Sequence, residues 1–527
     1  MLSQSRSRLL LLALVAAAFA LRAPYAAGRM RLTPDVAAYY SISRNLADGQ
    51  GLLSTLKLYL GSGGPVRHSA LSDWPPAYPV FSAVILKLGG DARALQIANA
   101  LLVSISAGLV FLLGARLFGM REGLLAGAAA ALAPNLFRAG IVALSDALGL
   151  TLALAALLVA LHEPKAWKWL AAGMIAGAAV LTRYPYALIA VALVGWALPD
   201  RKSRPCAIAC AIGFACVVGP LLVWQWRSLG LPHSQALHYG VASFHDAMWS
   251  ATIAADPLYA LRHPGPVAVS SLRNCVLYAA DLLAGPRGLC LLGIGLAAWA
   301  IGRAAPKSRR QQKLVLTVAA LNFVVCACTW SIPPVKGSRL MLLSYCLLLP
   351  FCAAGLVEMM QHARRWRNRA AVGLCAATIA VYAWGCVTAA SFPGTEFALP
   401  PRAARSIADW LPPGANLASN NPWVINYSTG APTALLPRDL DEQALACYVS
   451  DLKIGGIVLL GKHPCSATAD TVLAHYDAKT ICPGVIMAST TQRTSAGRRV
   501  TALRPPVAAG LRPGLRPGLR RDPACPE

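Results

Sequence analysis

Asp35 and Asp146 are the acidic residues whose surroundings most restrict what they can be. Asp35 sits in Thr33-Pro34-Asp35-x-x-x-Tyr39-Tyr40, shortly after an apolar run, and Asp146 opens another in Leu144-Ser145-Asp146-Ala147-Leu148. A carboxylate at the edge of an apolar helix is costly unless it is paired or functional. It is also the residue type that takes up a proton in general acid–base chemistry. Each has a structural alternative. Asp35 can cap a helix over 36–47, and Asp146 can cap its own helix or pair with Arg138. The residues alone leave both readings open for each.

Other candidates are weaker. Trp74-Pro75-Pro76-Ala77-Tyr78-Pro79 reads as a rigid lead into an interfacial helix over 79–89, or as a wall against a substrate, with Asp73 beside it. His233, His238, His245 and His263 fall in one polar segment, with Asp246 next to the third. Those are ligand types for a divalent metal. Their spacings match no ligand rule, so contact with an acceptor or a phosphate is the competing reading. No Walker motif, serine elbow or HExxH is present, and Gly293-x-Gly295 lies inside an apolar run. A soluble nucleotide donor is not expected.

The elements that must position these residues are membrane spans. Of 527 residues 56% are hydrophobic and 13% charged, about half the charged share of a soluble domain. Eleven apolar stretches lie at 9–27, 94–118, 123–142, 144–162, 167–183, 185–199, 206–226, 288–304, 314–332, 340–360 and 370–390. The net charge of +26 gathers in short clusters between them. With the N-terminus inside, the cytoplasmic segments hold eighteen Lys and Arg, and the short outer loops hold four: Arg138, Arg183, Lys336 and Arg339. That asymmetry is the positive-inside rule, so the basic clusters need no nucleic acid to explain them. It leaves 28–93, 227–287 and 391–527 outside.

The last of these segments reads as a small extracytoplasmic α/β domain over 391–503, with helices over 403–411 and 441–452 and a buried strand at 454–460. After it, residues 504–527 repeat Gly-Leu-Arg-Pro units and form a disordered basic tail. Cys447, Cys465 and Cys482 share an oxidising side and could form one bridge, whose pair the sequence does not choose.

Taken in order, a set of short motifs resembles the GT-C superfamily of polyprenyl-phosphate-sugar-dependent glycosyltransferases, nearest to the protein O-mannosyltransferase and aminoarabinose transferase group. They are Arg22, Asp35-x-x-x-Tyr39-x-x-Ser43-x-Asn45, the Trp74–Pro79 element, Leu113-Gly114-x-Arg116, Pro134, Ser145-Asp146 and Leu181-Thr182-Arg183. Arg339-Leu340 with Pro350, and Ser419-Asn420-x-Pro422-Trp423 with Tyr427, complete the series. In one departure, Val36 follows Asp35 where several branches carry Glu.

The resemblance implies a polytopic α-helical protein of the inner membrane, multi-pass, with a cytoplasmic N-terminus. It implies transfer of a sugar from a polyprenyl-phosphate lipid to an envelope glycolipid, lipid-linked glycan or protein. Asp35 would act as base, with Asp146 beside it. Arg183, Lys336 and Arg339, and less directly Arg22, would hold the phosphate, arginine through its planar fork. Tyr39, Asp73, Trp74, Tyr78, His238 and His245 would line the substrate. Two alternatives are a glycan ligase or polymerase drawing on a pyrophosphate-linked donor, and a glycolipid transporter or flippase.

Overall fold

The computed structural model describes residues 4–28, 30–58, 65–162, 164–230, 262–284, 306–329, 339–362, 373, 380, 384–388, 399–437, 440–460, 467–482 and 485–492. The chain divides into two units. The first comprises Met1–Ser54, His68–His245 and Ala255–Phe397; the second comprises Thr55–Arg67, Asp246–Ala254 and Ala398–Glu527.

The first unit is helical: α1 (Gln4–Gly28), α2 (Pro34–Ala47), α3 (Ala77–Lys87), α4 (Ala92–Leu117), α5 (Met120–Leu132), α6 (Pro134–Gly140) and α7 (Ser145–Leu161). It continues with α8 (Ala166–Val180), α9 (Ala187–Ala197), α10 (Arg204–Leu229), α11 (Pro264–Ala284), α12 (Pro306–Thr329) and α13 (Leu342–His362). Among the described residues four stretches are long and apolar enough to cross a bilayer: Ser5–Gly28, Ala92–Leu117, Arg204–Leu229 and Arg309–Cys328. Glycines let these helices approach closely, as in membrane packing generally. A Cβ on Gly173 of α8 would run into the Cys210 carbonyl of α10, and one on Gly213 of α10 into the Leu170 carbonyl of α8.

One expectation is corrected. The stretch 123–142 is not one span: α5 ends at Leu132 and Pro134 starts a separate helix. Proline drives the residue before it out of helical geometry, and Ala133 is extended at φ −64° and ψ 125°. Helices α6 and α7 then meet at 117°, a broken element whose corner is residues 141–144. Residues 264–284 of the expected outer segment 227–287 also form a helix, which presents Val269, Leu272 and Val276 as an exposed apolar stripe. The span expected at 288–304 lies outside the described residues, as do two thirds of that at 370–390.

The second unit is an α/β layer. Its strands are β2 (Leu56–Lys57), β4 (Asn416–Ser419), β5 (Thr433–Leu435), β6 (Ile454–Leu460), β7 (Tyr476–Cys482) and β8 (Val485–Gln492), in the order β2-β5-β4-β6-β8-β7. The first four are parallel, and β8 and β7 run antiparallel. A separate two-residue ladder, β1 (Leu53–Ser54) with β3 (His68–Ser69), belongs to the first unit. The helices expected near 403–411 and 441–452 are α14 (Pro401–Trp410) and α16 (Glu442–Asp451). Two further helices, α15 (Pro422–Thr429) and α17 (Ala467–His475), were not expected. Ile457, Leu459, Leu445 and Val472 are core residues of this layer. The first outer segment is not a single piece, because 55–67 leaves the helical unit to supply β2. Residues 504–527 lie outside the described residues.

Candidate functional site

The site begins at the start of α2. Thr33 is extended and its Oγ1 accepts from the Val36 amide, so the cap is Thr33. Asp35 is thereby released from the capping role its sequence allowed, and stands in the first turn. Its Oδ2 accepts from Nη2 of Arg339. The same guanidinium lies with Nε 3.6 Å from Oδ2 of Asp146, while Oδ1 of Asp146 accepts from Nη1 of Arg183 at 2.6 Å. Four charges from four separate chain segments thus alternate in a row: Asp35, Arg339, Asp146, Arg183. They sum to zero.

Burial separates the two acids. Asp146 is 2% exposed, whereas Asp35 is 28% exposed and its Oδ1 has no partner among the described residues. Arg183 and Arg339 are intermediate, at 16% and 35%. Asp146 therefore fixes the two cations from behind, and Asp35 is the acid that a ligand can reach. Desolvation would lower the pKa of Arg339, but the charges of Asp146 and Asp35 outweigh it and hold the guanidinium protonated.

An aromatic wall adjoins the row. The hydroxyls of Tyr39 and Ser145 lie 2.9 Å apart, which ties α2 to the residue before Asp146. The Tyr39 ring meets Trp74 and Tyr78 edge to face, each at 5.1 Å between centroids. Burial first, and then the charge of Asp35, push the Tyr39 phenol well above its ordinary pKa, so it is a neutral hydrogen-bonding group and no base at physiological pH.

Amide side chains within apolar helices hold the backbone of the site. Asn99 of α4 donates to the carbonyls of Val142 and Leu144, both at 2.8 Å, and accepts from the Tyr78 hydroxyl at 3.2 Å. The corner before Ser145-Asp146 is thereby fixed to α3 and α4. Gln225 of α10 donates to the Leu71 carbonyl at 3.2 Å and to the Tyr184 hydroxyl at 3.3 Å. The Ala77 amide donates to the Leu181 carbonyl at 2.7 Å, two residues before Arg183. None of these amides was singled out from sequence. Gln96 and Asn99, polar residues three apart in an otherwise apolar run, were the available signal.

Of the other sequence candidates, Asp73 pairs with Nε2 of His68 at 2.7 Å, a partner that no motif announced. Arg22 is fully buried among helices, its guanidinium donating to the carbonyls of Ala18 at 2.8 Å and Ala131 at 2.7 Å and lying over Phe137. His238, His245 and Lys336 lie outside the described residues. Among the described residues no three His, Cys, Asp or Glu side chains converge as a metal site. Cys447 is exposed and unpaired, and Cys465 lies outside the described residues.

Residues 73–224 match the family model of dolichyl-phosphate-mannose-protein mannosyltransferases. No curated protein matches the sequence. Among solved structures, ArnT from Cupriavidus metallidurans bound to undecaprenyl phosphate is similar over 93% of this chain and 98% of its own. The TM-score is 0.56 at 15% identity. Archaeal oligosaccharyltransferase AglB from Archaeoglobus fulgidus, in complex with an inhibitory peptide and a dolichol-phosphate, gives a TM-score of 0.61 at 12% identity. That match covers 92% of this chain and 74% of AglB. Arabinofuranosyltransferase AftD from Mycobacteria gives 0.52 at 16% identity, over 93% of this chain and 40% of AftD. The chain is a helical membrane protein that shares its fold with these solved structures.

Proposed function

We propose that a chain with this fold and this charge row is a glycosyltransferase. It would move a sugar from a polyprenyl-phosphate lipid to a hydroxyl of an envelope glycolipid, lipid-linked glycan or protein. One observation carries the reading: a partly exposed Asp35 whose partner, Arg339, is shared with a buried second carboxylate. The resting row is neutral. A phosphate-linked donor brings negative charge and competes for Arg339, the cation that among the described residues bridges both acids. As Arg339 turns its outer nitrogens to the phosphate, Asp35 is released.

The chemistry then balances simply. The acceptor oxygen attacks the anomeric carbon, and Asp35 takes its proton. The bond from that carbon to the phosphate oxygen breaks, and the polyprenyl phosphate leaves with the electron pair. Attack from the Asp35 side, opposite the phosphate, inverts the anomeric centre. Phosphate needs no acid to leave, so one reachable carboxylate suffices where a glycosidase needs two. Arg183 and Arg339 offset the growing phosphate charge, and Asp146 keeps both in place. Trp74, Tyr78 and Tyr39 form the wall against which the sugar packs. The reading puts the helix ends that carry the row on the outer face, and the asymmetry of Lys and Arg between the loops supports it.

The test is complementation of cells lacking this chain with wild type or Asp35→Asn, followed by mass spectrometry of lipid-linked sugars and envelope glycans. With the variant made at normal levels, a monosaccharide-phosphate lipid accumulates and one glycan loses a sugar, whose mass identifies it. Full restoration of every glycan by Asp35→Asn overturns the reading and favours a transporter.

A further inference from the structure

Arg339 bridges both acids of the row, yet it stands in the turn ahead of α13 rather than within a helix. A long, flexible side chain works at a fixed place only when its backbone is held, so whatever holds this turn decides where the guanidinium reaches. The hold comes from α12. Asn322 lies within the apolar stretch Arg309–Cys328 and is 2% exposed. Its Nδ2 donates to the Leu340 carbonyl at 3.3 Å and to Oγ of Ser344 at 2.9 Å. A carbonyl can only accept, so the amide nitrogen must face Leu340, and both of its hydrogens are used. Buried Ser344 passes its own hydrogen to the Ala319 carbonyl at 2.8 Å. The bonds thus leave α12 at Asn322, cross to the first turn of α13 and return to α12 at Ala319. One helical turn beyond Asn322, on the same face, Sγ of Cys326 adds a weaker donation to the same Leu340 carbonyl at 3.5 Å.

We propose that Asn322, together with Ser344, is a positioning residue for the transfer, fixing Arg339 at the level where it meets the phosphate of the donor lipid. Asn322 touches no substrate and acts through the Leu340 carbonyl, one peptide from Arg339. Its role rests on the reading of Arg339 as a phosphate-binding cation. An amide among apolar helices is costly unless its bonds are made, and glue between two spans needs only one bond anywhere along them. Here two donors of α12 meet on one carbonyl beside the cation that spans Asp35 and Asp146, and the second hydrogen of Asn322 secures the helix that follows. Leucine at 322 would remove the hold while leaving every charge of the row in place.

Binding of undecaprenyl phosphate to the full-length protein in mild detergent, counted by native mass spectrometry with undecaprenol as the uncharged control, tests this. Wild type prefers the phosphate, and Arg339→Gln loses that preference. Equal binding of both lipids by wild type, or a preference kept by Arg339→Gln, overturns the reading of Arg339 and the role of Asn322 with it. Asn322→Leu lowers the affinity for the phosphate roughly tenfold, about what one hydrogen bond contributes, while undecaprenol binding holds. Ser344→Ala deletes a single oxygen and lowers it in the same direction, which keeps the test readable if Asn322→Leu does not fold. Placed in the Arg339→Gln background, either variant lowers phosphate affinity no further, because the hold acts only through that side chain. Wild-type phosphate affinity in Asn322→Leu, or in Ser344→Ala where Asn322→Leu does not fold, overturns the positioning role and leaves the phosphate reading standing. An equal loss for undecaprenol, or the same further loss without Arg339, overturns it in favour of a bracket that serves folding alone.

Discussion

Asp35 and Asp146 carry the same functional group and should fail differently. Asp35→Asn removes a reachable base but leaves Arg339 beside Asp146, so the protein folds and the transferred sugar disappears, with turnover down at least ~100-fold. Asp146→Asn strips the buried partner from two guanidiniums. Breaking a buried pair on one side costs about 3–5 kcal/mol. Expression and melting temperature in detergent should therefore fall for Asp146→Asn and hold for Asp35→Asn, and an inverted order would reassign the roles. Tyr39→Phe loses one hydroxyl contact to Ser145, about 1 kcal/mol, and keeps the ring packing. Because the Tyr39 phenol stays protonated far above neutrality, the pH profile of the variant should overlay that of wild type. The two acids were legible because charge beside an apolar run is conspicuous. Their partners were not, since Arg183 lies 37 residues from Asp146 and Arg339 lies 304 from Asp35. Nor did the sequence separate Thr33 from Asp35 as the cap, because both types cap and only the backbone angles choose.

Helices aim these side chains through small residues as much as large ones. Gly149 lies one turn after Asp146, and a Cβ there would come within 2.5 Å of the Tyr186 ring and 2.6 Å of Thr182 Oγ1. Its bareness lets α7 lie against the turn that carries Arg183, so the ion pair at 2.6 Å depends on a missing methyl. Gly149→Ala overpacks this contact at a cost of about 1–3 kcal/mol and moves Arg183 from Asp146. Glycan restoration should drop at least ~10-fold with no charged group altered; wild-type restoration would show that the turn is held elsewhere. Apolar length located most helices, because crossing hydrocarbon demands it. It misjudged 123–142, where Pro134 interrupts a run whose hydropathy is continuous. Hydropathy sums over a window, whereas a backbone break is decided by a single residue.

At the scale of the molecule, the chain leaves the helical unit after Ser54, supplies β2 to the sheet of the other unit, and returns at His68. This excursion was illegible: Leu56-Lys57 is too short to read as a strand, and its partner Thr433-Ala434 lies nearly 380 residues on. The helices at 401–410 and 442–451 and strand β6 were readable from local periodicity, but the edge of their sheet was not, since parallel pairing leaves no local mark. Asn426 locks that edge. Its Nδ2 lies 3.1 Å from both the carbonyl and the hydroxyl of Thr55 and 2.9 Å from the Ala431 carbonyl, while the Thr433 amide donates to the Thr55 carbonyl at 2.9 Å. Asn426→Ala leaves these buried acceptors short of a donor, at about 1–3 kcal/mol. The loss is local, because among the described strands β2 neighbours β5 alone whereas β4 and β6 are paired on both sides. Hydrogen exchange read by mass spectrometry on the full chain should accelerate at 55–57 and 433–435, leaving 454–460 and α4 as protected as in wild type. Acceleration throughout the second unit would instead make β2 a condition for the whole sheet, and no acceleration would mean that the strand pairing holds without the amide.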